Sequence, residues 1–158
     1  MIILFQLQLP LLILVQVNNI KSVASNLFST STTAADPGTG KVRLNSSTQN
    51  TSTLMYLDIT DDDGTSIQSF LETIDSATSA VKGHVRVAKR LDATDFILFS
   101  ISNLTDNTGW WTININDQAF SSSSPFINDE DITLAFVVTG DAGTSGSSGT
   151  SNLFATLT

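Results

Sequence analysis

Hydrophobic and polar residues alternate with a period of two along most of the middle of this chain. Lys41-Val42-Arg43-Leu44-Asn45 is one such run. In Thr53 to Thr60 (TLMYLDIT), Leu54, Tyr56 and Asp58 share one face, and Met55, Leu57 and Ile59 share the other. His84 to Lys89 (HVRVAK) points Val85 and Val87 inward, and three further runs cover Phe96 to Ile101, Trp111 to Ile115 and Ile132 to Val138. Successive strand side chains face opposite ways, so each run reads as a half-buried strand. One segment departs from the pattern. Ile67, Phe70, Leu71 and Ile74 recur at helical spacing behind Thr65 or Ser66 as N-cap, which predicts a single short helix over residues 66–75.

Between these runs lie polar turns. Asp36-Pro37-Gly38-Thr39-Gly40 is one: proline presets φ for the first corner, and glycine accepts the positive φ that follows. Asp61-Asp62-Asp63-Gly64 and Asp106-Asn107-Thr108-Gly109 are others. Short strands joined by polar turns predict an all-β domain over residues 41–139, an antiparallel β-sandwich or open barrel with one short helix. Before it, residues 21–40 read as a Ser/Thr-rich linker. Residues 1–20 read as an extended apolar N-terminal arm or anchor, since residues 2–17 (IILFQLQLPLLILVQV) carry no charge. No basic residue precedes that run, which weighs against a secretory signal, although Val23-Ala24-Ser25 resembles a cleavage site. An assembly arm, a retained signal or anchor, and a start-site artefact all remain open. Residues 140–158 form a short Gly-x-y tract and a C-terminal tail, with Gly140, Gly143, Gly146 and Gly149 at every third position. Glycine at that period is what three chains need to approach a common axis, while the composition also suits a flexible linker.

Composition narrows the function classes. Charged residues make up only 14% of the 158, and the net charge is −8. A chain this acidic offers no electrostatic attraction to a phosphate backbone, so nucleic acid is not an expected partner. There is no cysteine, which excludes disulfides, thiolate metal sites and cysteine nucleophiles. His84 is the one histidine, and strand alternation turns it outward, so no Ser-His-Asp arrangement is expected. No cofactor signature occurs. The chain is not expected to be an enzyme.

Three groups remain. Asp61 and Asp63 are candidate calcium ligands as clustered carboxylates on a turn, with a solvated turn as the alternative. An EF-hand does not fit, because Ile59 and Phe70 would occupy its first and twelfth positions. Trp110 and Trp111 must face opposite ways; Trp111 shares parity with Ile113 and Ile115 and is the expected core member. Trp110 is then the interface or glycan candidate. Lys82, Arg86, Lys89 and Arg90 gather four of the seven basic residues and either pair with the aspartate turn across copies or guard a strand edge.

The ordered set of Asp36-Pro37-Gly38, Lys41 to Asn45, Leu57-Asp58-Ile59 with Asp61 to Gly64, Val81 to Val87, Phe96 to Phe99, Thr105-Asp106-Asn107 with Gly109-Trp110, Ile132-Thr133-Leu134 and Thr139-Gly140-Asp141 resembles a small β domain of tailed-bacteriophage fibre proteins. In that group it precedes collagen-like Gly-x-y repeats. The resemblance implies a virion structural component, commonly a homotrimer in a tail fibre or a capsid-attached fibre. Its partners would be copies of itself, other virion proteins and possible host surface glycans. Here the tract is short and lacks proline. Two other classes stay open: a secreted bacterial surface or filament subunit located outside the cell, and a carbohydrate-binding module built on Trp110 or Trp111.

Overall fold

Every period-two run becomes a strand of one continuous sheet in the computed structural model, which describes residues 22–143. The strands are β1 (Val23–Ser29), β2 (Lys41–Leu44), β3 (Leu54–Asp58), β4 (Gly83–Lys89), β5 (Phe96–Asp106), β6 (Trp110–Phe120) and β7 (Glu130–Val138). They form a closed barrel in the order β1-β2-β3-β6-β5-β4-β7. The all-β class with one short helix is therefore as the pattern predicts. The closed barrel leaves no sandwich, and one pair, β1 with β2, runs parallel while the rest are antiparallel.

The segment expected to be a linker is not one. Residues 23–29 form β1, and residues 30–40 form a strap lying over the outside of β2 and β3. β1 lacks an apolar alternation because its inward positions are Ala24, Asn26 and Phe28, one small and one polar. The strap is tied down by Arg43, whose guanidinium donates to Thr33 O (3.3 Å) and Asp36 O (3.2 Å). It ends at Gly40, at φ +71°, where an added Cβ would come within 3.0 Å of Asp62 Cα. Under this cover the outward Tyr56 is only 3% exposed, so β3 is buried on both faces. The Val23-Ala24-Ser25 triplet lies inside β1, paired with Ala135, Leu134 and Thr133 of β7.

Inward side chains from all seven strands fill the barrel; Leu57, Val85, Ile97, Phe99, Ile113 and Leu134 are fully buried. One end is closed by helix α1 (Gln68–Ser76), which buries Phe70, Leu71 and Ile74. Phe70 meets Phe136 edge-on at 5.7 Å between centroids. The helix begins two residues later than predicted at its earliest, and Ser66 Oγ accepts from Gln68 N at 3.3 Å. The other end is closed by a 3-10 turn (Gln49–Thr51) and by Phe126. There the Gln49 amide donates to Phe126 O (2.7 Å) and accepts from Phe126 N (3.0 Å). Phe126 in turn packs on Phe28 at 5.3 Å.

Both boundaries of the described chain lie at the helix end. Phe136 N donates to Ser22 O (2.8 Å), and Thr139 N donates to Lys82 O (2.9 Å). The apolar segment 1–20, together with Gly146, Gly149 and the C-terminal tail, lies outside the described residues.

Candidate functional site

Strand β6 places the tryptophan pair as parity requires. Trp111 is inward and 2% exposed, and its Nε1 donates to Gln68 Oε1 at 2.8 Å, joining β6 to the helix. Trp110 is outward and half-buried, with its ring edge-on to Tyr56 at 5.9 Å. It is thus a partial platform whose remaining surface faces away from the barrel.

The aspartate turn is not a convergent ligand set; beyond the buried Asp61 it is the solvated turn of the alternative, exposed from Asp62 to Ser66. Asp61 is 1% exposed, and its Oδ1 accepts from Thr65 N at 2.7 Å. Asp62 N donates to Ser25 O (2.8 Å), so the turn fills the wall beside β1 where β2 has not yet begun. The Asp62 carboxylate turns toward Arg90 at 3.7 Å, while Asp63 is exposed. Burial, reinforced by neighbouring Asp63, pushes the Asp62 carboxyl above its ordinary value despite Arg90. The carboxylates of Asp61 and Asp63 therefore have different surroundings. Behind them Asp58 Oδ2 accepts from Gly40 N (3.1 Å), Thr60 N (2.9 Å) and the Thr60 hydroxyl, locking strap to turn. Among the described residues, no group of three His, Asp or Glu side chains is placed to hold a metal ion.

The clustered basic residues find partners within their own chain, so pairing across copies is not needed to account for them. Lys82 Nζ donates to Asp75 O and to Ala77 O (2.6 Å), which holds the end of α1. Lys89 bridges Asp95 (2.8 Å) and Glu130 (3.5 Å), and the bond to Asp95 raises its pKa. Arg86 lies 4.7 Å over the Phe96 ring and donates to Ala93 O.

At the turn end a cavity of about 270 Å³ has Phe28, Leu44 and Phe126 in its lining and Ser29, Thr30, Ser46, Ser47 and Ser124 around them. Its hydroxyls are largely committed. Ser124 donates to Ser47 O (3.1 Å), and Ser46 shares a bond with Thr51 (3.0 Å). No charged group enters it, and its volume lies below the range usual for ligand pockets. His84 stands outward between Val137 and Ser100 on the neighbouring strands, with no carboxylate across from it.

At the helix end the chain leaves through a cluster that periodicity alone did not reveal. Val23 (47%), Val81 (40%) and Val137 (67%) are exposed there. The run Phe136-Val137-Val138 is apolar throughout, which hides that Phe136 enters the core while Val137 faces out. Beyond it, Asp141 Oδ1 accepts from Thr78 N (3.1 Å), and Ser79 Oγ donates to Gly140 O (2.6 Å), so the start of the glycine tract is pinned to the barrel. An added Cβ on Gly140 or Gly143 would meet nothing within 4 Å, so glycine at these two positions is not demanded by the single chain. Comparison with family models, with curated proteins and with solved structures returned no match.

Proposed function

We propose that this chain is a structural subunit of a tailed-bacteriophage virion, a trimeric tail-fibre or capsid-attached fibre component rather than an enzyme. One observation carries the reading. The apolar N-terminal segment and the glycine-spaced tract both join the barrel at its helix end, among exposed valines, while both barrel ends are plugged. A barrel so arranged acts as a knob: its interior is filled by inward side chains, and the segments suited to assembly leave it together. The ordered resemblance to fibre domains supports the same reading, and so does the Gly-x-y spacing, which suits three chains around one axis. In this arrangement the N-terminal segment is the anchor to other virion proteins. A host-surface glycan would contact Trp110, the aromatic that keeps a partly open face.

The test is peptide mass spectrometry of density-purified virus particles from the source of this chain. Peptides of residues 41–139 should co-purify with the major capsid protein in a fixed ratio. Their absence from particles, with abundance in a cell-envelope or secreted fraction, would favour the bacterial surface subunit and defeat this reading.

A further inference from the structure

We propose that three copies of this chain meet through the outer face that β1, β7, β4 and β5 present toward the helix end. The inference rests on the three-chain reading above and adds the surface at which the chains touch. Strand register defines that face. Val23, Ala135, Arg86 and Leu98 lie in one outward row across the four strands. The next row, toward the helix end, is Val137, His84 and Ser100.

No carboxylate stands in either row, although the chain has 15 Asp and Glu residues. Identical copies with net charge −8 repel one another, so close contact is least costly where that charge is absent. The opposite side of the barrel is unsuited to this role, because the strap already covers β2 and β3. Within the face, Val23 and Val137 are 47% and 67% exposed. Arg86 is its one fixed charge, and its guanidinium already lies over Phe96 and bonds Ala93 O.

The glycine tract identifies the occupant. Gly140 follows Val137 by three positions and is held against the barrel through Ser79. A Gly-x-y tract brings three chains to one axis, so that axis must pass close to the end of β7, beside this face. A lipid surface is a poorer match, since Ser100, His84 and Arg86 interrupt the apolar rows. A nucleic acid is poorer still, with Arg86 alone to meet phosphate.

Sedimentation velocity of the full chain and its variants tests the proposal. Wild type should sediment as three chains. Val137→Asp puts a carboxylate into the face of every copy and should sediment as one chain, with its far-ultraviolet circular dichroism unchanged. Leu91→Asp is the control: Leu91 is 97% exposed in the β4–β5 loop at the turn end, and this variant should remain three chains. If Val137→Asp does not fold, Ser100→Glu places the charge on β5 instead and carries the same expectation. A folded Val137→Asp or Ser100→Glu that remains three chains overturns the assigned face and leaves the three-chain reading intact. A wild-type chain that sediments alone overturns both.

Discussion

Trp111 and Trp110 are adjacent in sequence and differ in everything that determines their energetics. Trp111 is buried, and its indole nitrogen is satisfied by Gln68, so Trp111→Ala removes core volume and orphans an amide oxygen. The expected loss is roughly 3–5 kcal/mol, the range for a large buried aromatic. Trp110→Ala gives up one edge contact with Tyr56, and the expected loss is on the order of 1 kcal/mol. Thermal or denaturant melts of the two variants check the contrast; equal large losses would contradict it. Asp62 offers a pH test. Its folded pKa is raised above 3.8 by burial and by Asp63. The folded state thus favours the protonated form. Asp62 contributes stability below the unfolded value and loses that contribution as pH rises through the folded one. Asp62→Asn should therefore gain stability relative to wild type as pH rises from 3.8 through the raised folded value. A melting-temperature difference that shrinks over that interval would contradict the assignment.

At the scale of elements, the strands from β2 to β7 and the helix were legible because each contains one clean run, although β5 and β6 continue to Asp106 and Phe120, past the runs ending at Ile101 and Ile115, where the β5–β6 register shifts between Ile101 and Asn103. β1 and the strap were not. β1 was hidden by Asn26, a fully buried residue at its central inward position whose amide atoms have no hydrogen-bond partner among the described residues. Replacing it by the similarly shaped Asn26→Leu should raise stability by about 1 kcal/mol, since a buried unpaired amide is costly and an apolar isostere is not. A loss on chemical denaturation would show that the amide is satisfied in the folded protein. The strap was hidden because its Ser/Thr-rich composition suits a loop equally well; what fixes it is Arg43 reaching back to Thr33 and Asp36, a contact no local pattern encodes. Strand order was also beyond the sequence, and it sets Gly83 tightly against β7, more so than any other described glycine against its neighbours. A Cβ on Gly83 would sit 2.4 Å from Val137 O, a backbone atom that cannot step aside. Gly83→Ala should cost roughly 1–3 kcal/mol, as overpacking does, although alanine ordinarily stabilises a strand relative to glycine. An unchanged or raised melting temperature would contradict the β4–β7 register.

For the whole molecule, the sequence indicates which residues turn outward and not which outward residues become neighbours. Val23, Val137 and His84 belong to three different strands, and only closure of β1 on β7 and of β7 on β4 sets them side by side. The candidate surface was therefore invisible in the chain, while its ingredients, the low charge and the glycine tract beside Val138, were plain. Self-association across a face without carboxylates, on an otherwise acidic molecule, carries a recognisable electrostatic signature. Salt screens the repulsion between the remaining carboxylates, so raising ionic strength from about 0.01 M to 0.15 M, which shortens the screening length from roughly 30 Å to 8 Å, should strengthen association. Weaker association at higher salt would instead mean that ion pairs between copies hold the assembly together. The most direct test of the central claim is the mass of the full-length chain in solution by multi-angle light scattering at physiological ionic strength: the account predicts three times the chain mass, and a uniform single-chain mass would contradict it.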